Sequence, residues 1–211
     1  MAPDGCAFPA PPGHVVVIVT VAGLKGGIGK TTTAAYLAHA LYEQLCNVLA
    51  LDADPQASLR TWAKWGEWVI PVEKFAARRA AQVRPLGWDV VIDTPPYDAH
   101  VTAAAVGVAT HVVYPMAPTG MEFEGVDRMR ALLDRYAPQA HRLILLNRTV
   151  ARASSTTEYR AALEAEGWHV ARATVGRREQ FAQSYGAIPF RASSTAFGDC
   201  LADLRSLEVS A

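Results

Sequence analysis

Short runs of β-branched and other apolar residues alternate along this chain with stretches whose apolar positions recur every three or four residues. The runs predict strands over 15–21, 48–51, 90–92, 111–114 and 143–146, and a sixth over 168–170. Strands that are apolar on both faces belong in a sheet covered on both sides. The intervening periodicity predicts amphipathic helices. Residues 31–45 align Ala34, Leu37, Ala38, Leu41 and Leu45, and residues 122–136 align Phe123, Val126, Met129, Leu133 and Tyr136. A last helix over 195–207 aligns Phe197, Leu201 and Leu204. The alternation predicts an α/β fold, a doubly wound and mostly parallel sheet. No repeat or linker interrupts it, and 211 residues suit one core. Residues 15–211 are therefore read as one domain, and 1–14, rich in Pro, Ala and Gly, as a disordered tail.

Composition narrows the picture little. Half the residues are apolar (51%) and the formal net charge is zero, so nothing in the whole-chain charge calls for nucleic acid. A basic footprint would have to be local. Cys6, Cys46 and Cys200 show no metal or redox spacing and read as incidental thiols of a reducing cytosol. The apolar run over 15–24 lacks a basic leader and is too short to span a bilayer. The expectation is a cytoplasmic protein with no membrane partner.

The chemistry begins where the first strand ends. Lys25-Gly26-Gly27-Ile28-Gly29-Lys30-Thr31-Thr32 is a glycine-rich loop that opens directly into a helix. Glycines let the backbone curl so that its N–H groups converge on phosphate oxygens, and a helix N-terminus favours the same anion. Lys30 is placed to neutralise β and γ phosphates, and Thr31 to ligate Mg²⁺. The usual outer glycine is absent, since Leu24 occupies that position, and Lys25 heads the loop instead. Next, Leu51-Asp52-Ala53-Asp54-Pro55-Gln56 follows a strand, where a carboxylate can hold a metal's water shell or orient an attacking water, although the segment taken alone reads more readily as an Asp-Pro turn. Trp88 to Pro96 is an apolar strand ending in Asp93, the pattern of a Walker B strand.

Together these motifs resemble the ParA/MinD family of ATPases with a "deviant" phosphate loop, and the small ParF-like partition proteins most. The resemblance extends over about residues 15–207 and implies the P-loop NTPase fold, with ATP and Mg²⁺ as cofactors. It implies nucleotide contacts from Lys25 through Thr32, and a catalytic set of Lys25, Lys30 and Asp54. Asp52 becomes a supporting acid. The metal falls to Thr31, Asp54 and Asp93, the last through water. An Asn ending the later strand contacts adenine in this family, which points to Asn147, followed here by Arg148. Arg177 and Arg178 fall where the family places DNA-facing basic residues.

The implied function is DNA segregation. ATP would draw two subunits together, with Lys25 of each reaching the other's phosphates. The dimer or filament would bind DNA nonspecifically until a small centromere-binding adaptor stimulates hydrolysis. A related ATPase positioning another cargo, MinD-like or acting on chemoreceptor clusters, is the alternative, and a small-molecule synthetase of the same fold a more distant one. Trp62, Trp65 and Trp68 read as packing against the sheet or as a partner surface, and Arg78-Arg79 as a solvated helix face.

Overall fold

The computed structural model describes residues 15–44, 47–84, 87–177, 181 and 183–209. The expected tail over 1–14, Leu45, Cys46 and Arg178 lie outside the described residues. Seven strands form one sheet: β1 (Ile18–Val21), β2 (Val48–Asp52), β3 (Val72–Lys74), β4 (Asp89–Asp93), β5 (His111–Met116), β6 (His141–Thr149) and β7 (Val175–Gly176). Their order is β3-β2-β4-β1-β5-β6-β7, and each neighbouring pair runs parallel. Parallel pairing demands crossovers, which the helices supply: α1 (Lys30–Tyr42), α2 (Ser58–Trp65), α3 (Ala99–Val106), α4 (Gly120–Phe123), α5 (Val126–Tyr136), α6 (Ser154–Ala165) and α7 (Ala196–Val209).

The two-residue period of the strands sorts the core into layers. Val19, Val21, Val91, Val113, Leu143 and Leu145 point to one face, where Leu37 and Leu41 of α1 and Phe197, Leu201 and Leu204 of α7 cover them. Val112, Tyr114, Ile144 and Leu146 point to the other, beneath Met129 and Leu133 of α5. Ile18, Val90 and Ile92 pack there with Ala105 of α3. β1 lies between β4 and β5, so the chain winds outward from it in both directions. The carboxyl end of β1 is thus the switch point, where open α/β sheets leave a crevice.

Four expectations need correction. β3 was not anticipated: it is a three-residue edge strand with exposed Glu73 and Lys74, and so carries no apolar run. Residues 168–170 form no strand; Val170 makes a single bridge to Ile144, and β7 lies further on at Val175–Gly176. The helix expected over 122–136 is two helices parted at Glu124 and Gly125. Gly125 lies tight against Tyr114, since a Cβ there would stand 3.4 Å from the phenol oxygen and 3.2 Å from the Glu122 carbonyl. Tyr136, placed on the inner face by periodicity, is 43% exposed at the helix end.

The three tryptophans divide. Trp62 is buried and Trp68 packs against the core, and both indoles donate to the Ala187 carbonyl, at 2.7 and 3.1 Å. Trp65 is 63% exposed, edge-on to Tyr185. Arg78 and Arg79 are exposed on a 3₁₀ turn (Ala77–Gln82). Cys200 is a buried thiol of α7. Among the described residues no helix is long and apolar enough to cross a membrane.

Candidate functional site

The site assembles at the carboxyl edge of the sheet because three strands end in one row. Val21 of β1 pairs with Asp93 of β4, and Asp93 pairs with Asp52 of β2. Whatever follows each strand is therefore delivered side by side: the glycine loop after β1, Asp54 after β2, and the Thr94-Pro95-Pro96 turn after β4. Two bonds tie the row together. Thr94 Oγ1 donates to the Val21 carbonyl at 2.9 Å, and the Ala53 amide to the Asp93 carbonyl at 2.9 Å.

The loop owes its shape to two glycines. Gly27 (φ 74°) and Gly29 (φ 91°) take left-handed conformations that other residues adopt rarely. Gly29 is doubly required, because a Cβ there would lie 2.2 Å from Asn147 Nδ2. It is also the N-cap of α1. The first-turn amides of that helix have no intrahelical acceptor and point back at the loop. The Lys30 side chain is buried and donates from Nζ to the Lys25 carbonyl at 2.6 Å. Burial lowers its pKa, against the opposing charges of Asp93, Asp54 and Glu122. An ammonium so placed lacks a full counter-charge and suits an anion.

The fold brings Thr31 and Asp93 together: Thr31 Oγ1 donates to Asp93 Oδ2 at 2.7 Å. Asp93 is fully buried, and burial pushes its carboxyl up to about 7, with the charges of Asp52 and Asp54 adding and the Thr31 bond and Lys30 opposing. Its Oδ1 is buried with no hydrogen-bond partner among the described residues. A buried carboxylate oxygen without a donor, beside a threonine hydroxyl, fits a hydrated divalent cation. No group of three or more His, Cys, Asp or Glu side chains suited to holding a metal by themselves occurs among the described residues. Phosphate oxygens and water would have to complete a shell around Mg²⁺, as is usual for that ion.

The two acids after β2 differ. Asp52 is buried and accepts the Asp54 and Arg60 amides, each at 3.0 Å, with Arg60 Nε 3.8 Å away. Burial raises its pKa, against these bonds. Asp52 thus holds the turn that carries Asp54. Asp54 is half-buried, and one of its oxygens accepts the Gln56 amide at 2.9 Å.

Three neighbours of the loop, Glu122, Tyr97 and Arg148, carried no assignment from sequence. Lys25 bends toward α4, where Nζ donates to the Met121 carbonyl and stands 3.8 Å from Glu122 Oε1. Tyr97, 80% exposed, closes over the loop, its amide donating to the Leu24 carbonyl at 3.1 Å. Arg148 donates from Nη1 to the Gly27 carbonyl at 2.9 Å. Nothing in the local sequence ties Glu122 or Tyr97 to the loop; Arg148 was visible only as the neighbour of Asn147. Asn147 is buried behind the loop, donating to the Ile28 carbonyl at 2.9 Å and accepting the Arg148 amide at 2.8 Å. Arg177 is exposed beyond β7, away from this cluster in the bonding pattern, its amide donating to the Thr149 carbonyl.

Known proteins are similar to this chain in sequence or in fold. The Maintenance of carboxysome distribution protein A of Gloeobacter kilaueensis is 39% identical over 111 residues, 50% of this chain and 51% of that protein. The match thus spans about half the length of that relative. The protein of the same name from Halothiobacillus neapolitanus is 27% identical over 76% of this chain and 79% of its own. Protein ParA of Rhizobium radiobacter is 32% identical over 50% of each chain. Among solved structures, the ATP complex of Cyanothece McdA shares the fold with a TM-score of 0.68 at 18% identity, over 92% of this chain and 95% of that one. ATP and Mg²⁺ are the cofactors of the family, and solved structures of the same fold include an ATP complex and an ADP–magnesium complex. Residues 19–188 match the family described as "CbiA: CobQ/CobB/MinD/ParA nucleotide binding domain", and the chain belongs to that family of ATPases.

Proposed function

We propose that this chain is a ParA-type positioning ATPase that is switched between monomer and dimer by ATP and distributes a cargo inside the cell. The observation that carries the reading is the row at the sheet edge: a glycine loop, a buried Lys30, the Thr31–Asp93 pair and Asp54 brought together at the carboxyl ends of adjacent strands. The loop from Lys25 through Thr32 receives the phosphates, and Lys30 neutralises them. Thr31 and Asp54, with Asp93 through water, would hold Mg²⁺, which when bound would supply positive charge to the terminal phosphates. Asp54 orients the attacking water, on the carboxylate left after its bond to Gln56. Asn147, whose Nδ2 holds the Ile28 carbonyl of the loop, would contact the adenine base. Weak intrinsic turnover, raised when a partner binds, belongs to this reading.

Two cargoes are met among the relatives. Similarity over three quarters of both chains to a carboxysome distribution protein favours a protein assembly as cargo. DNA segregation with a small centromere-binding adaptor is the second reading, favoured by the match to a ParA. Both use a dimer that rides on nonspecific DNA, with Arg177 and Arg178 as contacts. Fluorescence anisotropy on random duplex DNA tests this shared step. Binding should appear with ATP, be absent with ADP, fall steeply with salt, and vanish when Arg177 and Arg178 are both replaced by Glu. A protein that binds ATP but not DNA at low salt would sink the DNA-riding mechanism and leave an ATP-dependent filament.

A further inference from the structure

A strand should send adjacent side chains to opposite faces of its sheet. Asn147 and Arg148 nevertheless both reach the phosphate loop. The device is a bulge at the end of β6. Asn147 pairs with Val175 and Thr149 with Gly176, and the register shifts between them, at Arg148. Arg148 has a φ of 56°, in the left-handed region that a residue with a Cβ enters only under constraint. Bulges re-aim side chains in this way, and an unfavourable backbone angle beside a site invites a functional account.

The two side chains take successive carbonyls of the loop. Arg148 Nη1 donates to Gly27 O and Asn147 Nδ2 to Ile28 O, each at 2.9 Å. In a trans peptide the C=O and the following N–H point in opposite directions, and no peptide among the described residues is cis. Drawing the Gly27 and Ile28 carbonyls toward β6 therefore turns the Ile28 and Gly29 amides away from it. We propose that Arg148 is a positioning residue that, together with Asn147, presets these two amides as phosphate donors before a nucleoside di- or triphosphate arrives. Donors held in place need no reorganisation on binding, which is what makes such a cradle effective. The inference rests on the reading of residues 25–32 as the phosphate cradle, and is independent of the cargo.

Arg148→Gly separates the side chain from the backbone, because glycine adopts the left-handed angle without steric cost. Affinities for ATP and ADP are measured by calorimetry, and amide exchange across residues 25–32 is followed without nucleotide. Arg148→Gly should weaken ATP and ADP alike by about tenfold, the effect of one charge-assisted hydrogen bond. The Ile28 and Gly29 amides should exchange faster, while the melting temperature stays that of the wild type. Arg148→Lys, which keeps a single charged donor, should recover most of the affinity. If Arg148→Gly lowers the melting temperature, Arg148→Met gives the same comparison with the chain length retained. Wild-type affinity and unchanged exchange in the stable donor-free variant would overturn the proposal. Failure of the wild type to bind ATP, or undiminished binding by Lys30→Ala, would instead sink the phosphate-cradle reading itself.

Discussion

At the scale of single residues, the site is a set of charges kept out of water until a ligand brings the opposite sign. Asp93 shows the cost. Its carboxyl is raised from 3.8 to about 7 in the fold, chiefly by burial, so the folded chain binds a proton more readily than the unfolded one. Stability contributed by this group is lost as pH rises from about 4, and the loss is complete above about 7. Asp93→Asn should therefore gain on the wild type in melting temperature between pH 5 and pH 8 without nucleotide, while losing stabilisation by Mg²⁺-ATP. A constant difference across that range would contradict a buried, proton-binding Asp93. Asp54 makes the contrasting case: half-buried, and fixed by Asp52 through the turn that it holds. Asp54→Ala should bind ATP with near wild-type affinity and lose at least about a hundredfold in phosphate release, the scale of one acid–base group. Undiminished hydrolysis would move the role to another group.

At the scale of elements, α2 links the acid-bearing turn to the rest of the molecule. Asp52 caps its start through the Arg60 amide, and Trp62 at its centre is 1% exposed. The indole packs beside Trp68 and Tyr185 and donates to the Ala187 carbonyl. Tyr185 in turn donates to the Ser58 carbonyl at 3.3 Å. The stretch over 183–188 is thus clamped onto α2 by ring contacts, the Trp62 indole bond and the Tyr185 hydroxyl, with Trp68 beyond the helix adding a second indole bond. Trp62→Ala should destabilise the protein by about 3–5 kcal/mol, the cost of a large core cavity, measured by urea unfolding. Trp65→Ala, at an exposed position, should cost well under half of that. Equal losses would mean that Trp65 shares the core role.

At the scale of the whole molecule, the neutral net charge hides a redistribution. Eight arginines lie between 139 and 193, a density that invites a DNA-binding reading. Four of them have other partners: Arg142 bonds Asp134, Arg148 the Gly27 carbonyl, Arg160 pairs with Glu164, and Arg172 with Asp203. The surface left for phosphates is smaller than the sequence suggests, and under the proposed DNA-riding mechanism affinity should depend on doubling it by dimerisation. The loop face suits a partner subunit, because Tyr97 and Met121 are 80% and 72% exposed beside Lys25. Lys25 lies against its own α4, so reaching across would mean leaving Met121 and Glu122. Lys25→Ala should leave the monomer's ATP affinity within about twofold, since exposed ion pairs contribute little, while abolishing the ATP-dependent dimer in sedimentation. Normal dimers with normal turnover would remove the cross-subunit role.

The glycine loop, its lysines and the strands before and after it were legible in the sequence because each is a local property. Glycine at Gly27 and Gly29, apolar runs, and three-to-four-residue periodicity act within a few positions and survive any rearrangement of the rest. What required the tertiary structure was every relation across strands. The row Val21–Asp93–Asp52 is a matter of register between segments far apart in sequence. The break at Glu124 and Gly125, where Gly125 packs beside Tyr114 of another element, is likewise not reported by helical periodicity. β3 and β7 are too short to leave a pattern of their own and exist by pairing with longer neighbours. Arg148 is the clearest instance: its bulge, its left-handed backbone and its bond to Gly27, 121 positions away, are settled by packing between chain segments that share no local signal.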